Sequence, residues 1–279
     1  MVDKPAGVTS HDVVAQARRL FSTRSIGHTG TLDPFATGLL VLVIGRATRL
    51  ARFVEASRKA YLAEARLGIA TSTDDVSGDP IGQEWTAAWP SRDAVEAALG
   101  QLVGRRDQRP PAYSAKRRGG ERSYARARRG EAVTLDPVPV EIHELELVAW
   151  SPPLAGFRAV VGPGTYVRAI ARDLGERLGT GAHLTALRRT RVGSFRVEEA
   201  HRLDRLTGRE QLLTPRELLG DLPAVSLMPD EAVSVRHGRS VPGNGPAEGM
   251  AALLDGGRLL AVAERRQERW QPVVVLHGD

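Results

Sequence analysis

The residue types able to do chemistry gather in a few short strings, of which the densest is Gly27-His28-Thr29-Gly30-Thr31-Leu32-Asp33-Pro34-Phe35-Ala36-Thr37-Gly38. It holds one carboxylate, Asp33, among glycines, threonines and a proline. A carboxylate can attack as a nucleophile or carry a proton. Glycine permits close backbone approaches that other residues cannot make. Pro34 biases Asp33 toward an extended conformation. The apolar run Leu39–Ile44 that follows reads as a buried strand. Asp33 is therefore expected on a stiff loop entering the core. An Asp-Pro pair alone reads as a turn; the surrounding string is what singles it out.

Other strings carry candidate partners. Gly164-Thr165-Tyr166-Val167-Arg168 opens a stretch of helical spacing, and Arg168 taken singly is a helix surface cation. Lys59-Ala60-Tyr61 starts a strand whose Tyr61, Ala63, Ala65 and Leu67 share one face, so Tyr61 taken singly is a core residue. Gly181-Ala182-His183-Leu184-Thr185-Ala186-Leu187-Arg188-Arg189-Thr190 adds an apolar Leu187 and a run of arginines. His28 has no second histidine nearby at a metal-ligand spacing, and no metal site is expected.

Together these strings closely resemble the motifs of the TruB family of pseudouridine synthases, in order, over about residues 2 to 200. The resemblance implies conversion of uridine 55 in the T arm of tRNA to pseudouridine, with no cofactor. It puts the essential catalytic role on Asp33 and pairs Arg168 with it. An arginine beside a carboxylate lowers its pKa, so Asp33 is expected to be ionised at neutral pH. By the same resemblance Tyr61 stacks on the target base, Tyr166 and Leu187 line the pocket, and His28 and Lys59 help hold the RNA. The target base must leave its stack, and aromatic stacking offsets that cost. Asp33 attack on the sugar C1′, glycal formation or addition to C6 of the base all stay open. Pro110-Pro111-Ala112-Tyr113-Ser114-Ala115-Lys116 resembles a further family element, with Lys116 one residue early and followed by Arg117 and Arg118.

The elements that must position these residues alternate between strand and helix patterns. Ser10 caps a helix from about His11 to Phe21, and a strand from Gly38 to Gly45 precedes a helix over Ala47–Ala56. Lys59–Ile69 reads as a strand, Thr71–Gly82 as a polar loop and Asp93–Leu99 as a helix capped by Ser91. Arg105–Gly130 reads as a basic loop ending in a short helix. Val138–Trp150 and Phe157–Val161 read as strands, and Thr165–Leu178 as a helix stopped by Gly179. Beyond Leu222, short apolar runs at Ala232–Val235, Ala251–Leu254, Leu259–Val262 and Val273–Leu276 suggest a small β module. The expected fold class is α+β: a pseudouridine synthase-like mixed, mainly antiparallel sheet with flanking helices, plus a small C-terminal PUA-like β module. The expected domains are a catalytic domain over 1–221, with a basic insertion at about 105–130, and the module over 222–279.

The 279 residues include 39 lysines and arginines, of which only Lys4, Lys59 and Lys116 are lysines, and no cysteine. Disulfide and thiol chemistry are excluded, and a reducing cytoplasm fits. No apolar run is long enough to span a bilayer, so no membrane partner is expected. The net charge is +6, yet the 25 residues from Arg105 to Arg129 alone carry +8, leaving −2 elsewhere. Such a segment attracts polyanions with strong salt dependence. Lys116, Arg117, Arg118, Arg128 and Arg129 are its candidate RNA contacts, and the expected partner is the T arm of tRNA, bound by a monomer.

A protein that grips the T arm as a folding factor, without chemistry, is the competing reading. A glycosidase-like hydrolase would need a second carboxylate of comparable context beside Asp33, and none stands out.

Overall fold

Short apolar stretches separated by glycine and polar turns assemble into one large sheet. The computed structural model describes residues 1–113, 117–118, 121–122 and 135–276. In chain order the principal strands of this sheet are Val2–Lys4 (β1), Thr37–Leu40 (β2), Lys59–Leu67 (β3), Gly104–Gln108 (β4), Val138–Ser151 (β5), Leu154–Val161 (β6), Ala182–Val192 (β7) and His201–Arg202 (β8). Their spatial order is β8-β1-β2-β7-β3-β6-β5-β4, with Phe195–Arg196 pairing onto β7. The β8·β1 and β2·β7 pairs are parallel and the others along this path antiparallel, so the sheet is mixed and mainly antiparallel.

Strand alternation decides which face is core. On β3, Tyr61, Ala63, Ala65 and Leu67 are buried, while Leu62 is 45% exposed. Opposite them Leu187 pairs with Ala63 and Arg189 with Tyr61, while Phe157 and Ala159 pair with Ala63 and Tyr61 on the other side. The helix Val167–Leu178 packs on β7 with Ala169, Ile170, Ala171 and Leu174 buried. Gly179, in the left-handed region at φ 71°, ends it. The helix Arg92–Gly100 starts at Ser91, whose hydroxyl accepts the Ala94 N–H at 3.2 Å. At the β2·β7 pairing a side chain on Gly38 would put its Cβ 2.3 Å from the Arg189 carbonyl oxygen, and φ is +102° there. Only glycine lets these two strands lie this close.

The chain divides into two compact units. The first holds 1–10, 32–40 and 56–203; the second holds 11–31, 41–55 and 204–279. In the second unit Val14 and Ala17 of the helix Ser10–Leu20 pack with Ile26, and strand Ile26–His28 pairs with Leu42–Ile44. A five-stranded sheet runs in the order Ala224–Ser226, Met250–Asp255, Arg258–Arg266, Arg269–Val275, Val241–Pro242. Its core centres on the fully buried Trp270 with Val235, Leu253 and Ala261. Arg49 and Arg52 donate to the carbonyls of Val275 and Val273, tying the early segments to the last strand.

Four local expectations need correction. The apolar run Leu39–Ile44 is two strands, broken at Val41: Leu39 and Leu40 belong to β2, and Leu42–Ile44 pair with Ile26–His28. The Val41 carbonyl turns to accept the Thr29 N–H at 3.0 Å, so apolarity continues where the ladder does not. After it come a 3-10 turn at Gly45–Leu50 and a short helix, Ala51–Glu55, in place of one helix over 47–56. Ala232–Val235 is helical, within Pro229–Arg236, where a proline at the first turn and Glu231 bonding back to the Met228 N–H at 2.9 Å start a helix. The segment read as a basic loop begins as strand β4, and Arg117–Arg118 pairs with Glu121–Arg122 in a short hairpin. The short helix expected at its end lies outside the described residues.

Candidate active site

Asp33 sits on a loop held from several directions. The Ser10 Oγ donates to the Leu32 carbonyl at 3.1 Å and accepts the Leu32 N–H at 2.8 Å. The Gly7 N–H donates to the Pro34 carbonyl at 2.8 Å, and the Ala36 N–H closes back on the Asp33 carbonyl at 3.1 Å. Lys4, fully buried, directs its ammonium to the carbonyls of Pro5, Val8 and Pro34 at 2.9, 2.7 and 3.4 Å. A buried ammonium is costly unless such acceptors surround it. These bonds fix the backbone on both sides of Asp33, so its carboxylate is aimed rather than loose.

Arg168 enters from the first turn of its helix and is 4% exposed. Its Nη2 donates to Asp33 Oδ1 at 3.2 Å, and its Nε lies 3.0 Å from Oδ2 as an ion-pair contact. Nη1 donates to the Thr73 carbonyl at 2.9 Å and stands 3.2 Å from Asp75 Oδ2. Nη2 also donates to the Tyr113 carbonyl at 2.9 Å. One planar guanidinium thus faces two carboxylates and two backbone oxygens, a use of the fork that an ammonium could not reproduce.

Asp75 is the member that the sequence did not reveal. It lies in the polar loop between the short strands Ala70–Thr71 and Pro80–Ile81. Its Oδ1 accepts the Thr73 hydroxyl at 2.8 Å, the Ser77 N–H at 2.9 Å and the Ser77 hydroxyl. The doublet Asp74-Asp75, directly after the run Thr71-Ser72-Thr73, was the available signal.

Burial pushes the Asp33 carboxyl above the ordinary value of 3.8. Arg168 opposes that push, Asp75 adds to it and Lys4 opposes it. The downward shift expected from the arginine alone is therefore overturned: loss of water around the carboxyl and a second nearby anion outweigh the cation. The Asp33 side chain keeps 32% exposure, so it remains open to a ligand.

The other expected residues fall in several places. Tyr61 and Leu187 are buried on the same sheet face of β3 and β7, 7% and 8% exposed. Tyr166 immediately precedes the Arg168 helix and is part-buried. Lys59 is buried, and its ammonium donates to the Ser57 carbonyl at 2.9 Å, so it faces inward and not onto an open basic surface. His28 is on the strand Ile26–His28 of the second unit. Arg117 and Arg118 form one side of the short hairpin, while Lys116, Arg128 and Arg129 lie outside the described residues.

Comparison with known proteins defines the class. The description "TruB family pseudouridylate synthase (N terminal domain)" matches residues 18–167. "tRNA pseudouridylate synthase B C-terminal domain" matches 168–219, and "tRNA Pseudouridine synthase II, C terminal" matches 222–277. A protein of Thermobifida fusca named tRNA pseudouridine synthase B is 43% identical, covering 100% of this chain and 98% of its own. One of the same name from Mycobacterium bovis is 42% identical over 99% of this chain and 94% of its own. In fold, the chain is similar to a structure titled as a Cbf5-Nop10-Gar1 complex, with TM-score 0.76 and 24% identity over 99% of this chain and 83% of that one. It is also similar to an H/ACA RNP bound to a substrate RNA containing 2′-deoxyuridine, with TM-score 0.75 and 21% identity over 99% of this chain and 84% of that one. Fold and sequence define a pseudouridine synthase with a C-terminal PUA-like module. The chain belongs to the TruB family of pseudouridylate synthases.

Proposed function

We propose that this chain isomerises uridine 55 in the T loop of tRNA to pseudouridine, with Asp33 as its catalytic carboxylate. The observation that carries the reading is the Asp33 carboxyl, part-exposed, held at 3.0 to 3.2 Å by the buried guanidinium of Arg168 in a chain of this family. The reaction breaks the N1–C1′ bond of the uridine, turns the base and forms a C5–C1′ bond. The C5 proton leaves and N1 gains one, so composition is unchanged. Asp33 supplies the carboxylate, whether it attacks C1′, takes a proton toward a glycal or adds to C6. Arg168 holds both of its oxygens in place. Tyr61 stacks on the extruded base and is the candidate to take the C5 proton, with Tyr166 and Leu187 walling the pocket. The basic stretch from Arg105 to Arg129 and His28 hold the unfolded loop, offsetting the few kcal/mol, roughly, that unstacking costs.

The experiment is carbodiimide treatment and primer extension on an unmodified tRNA transcript, run with wild type and Asp33→Asn. A stop at the T-loop uridine with wild type alone supports the proposal. Tight binding with no stop from either protein would favour a folding factor for the T arm.

A further inference from the structure

Gln108 ends strand β4, at the threshold of the basic stretch, and is 1% exposed. Its Nε2 donates to the Tyr166 carbonyl at 3.2 Å, and its Oε1 accepts the Tyr166 N–H at 2.9 Å. One side-chain amide thus pairs with both backbone groups of a single residue, as a neighbouring strand would. Tyr166 is the N-cap of the Arg168 helix and makes no side-chain cap bond itself. Its carbonyl also accepts the Ile170 N–H at 3.3 Å, within the first turn of the helix. Two more bonds join the same two segments: Arg172 Nη2 to the Arg109 carbonyl at 2.9 Å, and Arg168 Nη2 to the Tyr113 carbonyl at 2.9 Å. Residues 108–113 are therefore stitched along the helix at 166, 168 and 172. Arg168 is the second residue of that helix, so a shift of its entry moves the guanidinium directly.

We propose that Gln108 is a positioning residue for the chemical step: its amide sets the entry of the Arg168 helix and, through it, the aim of the guanidinium on Asp33. The inference rests on the chemistry proposed above for Asp33. Displacements of about 1 Å remote from the reacting atoms can cost on the order of a hundredfold in rate. Gln108 acts in this sense through Arg168 and not by touching the RNA.

The test compares Gln108→Met, which keeps length and loses both bonds, with Gln108→Glu, which keeps the acceptor and loses the donor. Single-turnover rate and Kd are measured on a T-arm transcript. The expected result is a rate loss of about tenfold to a hundredfold for Gln108→Met, with Kd within about threefold of wild type and Gln108→Glu in between. In an Arg168→Lys background the same substitutions should cost little more, because a residue acting through the fork has no fork left to aim. Losses that multiply in the double variants overturn the proposal, as do equal losses of rate and affinity or wild-type rates in both single variants. Should Gln108→Met fail to fold, Gln108→Glu carries the same cycle; failure of both would assign Gln108 to the fold alone and overturn it. Wild type inactive on the transcript would defeat the chemistry itself. Active wild type with unaffected Gln108 variants would defeat only the positioning role.

Discussion

Arg168 and Asp75 meet at 3.2 Å with each side chain only 4% exposed. The guanidinium that faces Asp33 is thus shared with a second carboxylate buried behind it. Removing one partner of a buried pair leaves an uncompensated charge. Here Arg168 would still have Asp33, so Asp75→Asn is expected to keep the fold and loosen the aim. Single-turnover rate should fall while RNA affinity holds; equal losses of both would reject the assignment.

The acid side of the pH–rate profile gives a signed prediction. If ionised Asp33 is the reacting form, rate rises with pH through its pKa, which burial and Asp75 place above 3.8. Asp75→Asn removes one upward push, so the midpoint should move to lower pH. Lys4→Met removes a downward pull, so the midpoint should move higher. Single-turnover rates across pH decide this, and a midpoint unmoved or moved the other way would refute it.

Arg168→Lys keeps a positive charge and loses the fork that reaches Asp33, Asp75 and two carbonyls. The expectation is a rate loss close to that of Arg168→Ala, with RNA binding little changed. A lysine variant restoring near-wild-type rate would show that charge alone suffices.

Replacing Arg117, Arg118, Arg128 and Arg129 by glutamine should weaken RNA binding and flatten its dependence on salt, by up to about 0.9 in log–log slope for each phosphate no longer neutralised. An unchanged slope in binding titrations at several salt concentrations would remove these residues from the RNA interface.

Gly38→Ala should destabilise the first unit. The added Cβ would sit 2.3 Å from the Arg189 carbonyl oxygen in a backbone at φ +102°. Strain of that backbone type costs roughly 1–3 kcal/mol before the collision is counted. A lowered midpoint of thermal unfolding is the readout; an unchanged one would mean that β2 and β7 can part freely.

Some of this arrangement was legible in the residues and some was not, for physical reasons. Asp33 and Arg168 stand in strings whose glycines, prolines and helix pattern announce a fixed backbone. Asp75 does not, because its role comes from a hairpin that brings it back to Arg168, 93 positions away in the sequence. Gln108 was hidden among arginines, since only the third dimension turns the end of β4 inward. The direction of the Asp33 pKa failed because an arginine partner is visible in a sequence and the stripping of water is not. The alternation of Tyr61 to Leu67 was readable because burial on one face leaves a period of two. The break at Val41 was not, because both halves of the run are apolar for separate reasons.

The second unit draws on three stretches of chain, with Arg49 and Arg52 bound to the carbonyls of Val275 and Val273. It is therefore not a bead that can be snapped off the C-terminus. A premature stop after residue 221 would strip partners from segments near the start of the chain. Those segments, 11–31 and 41–55, precede the lost residues by more than 160 positions, so damage at the far end of the gene would be felt in stretches translated long before it.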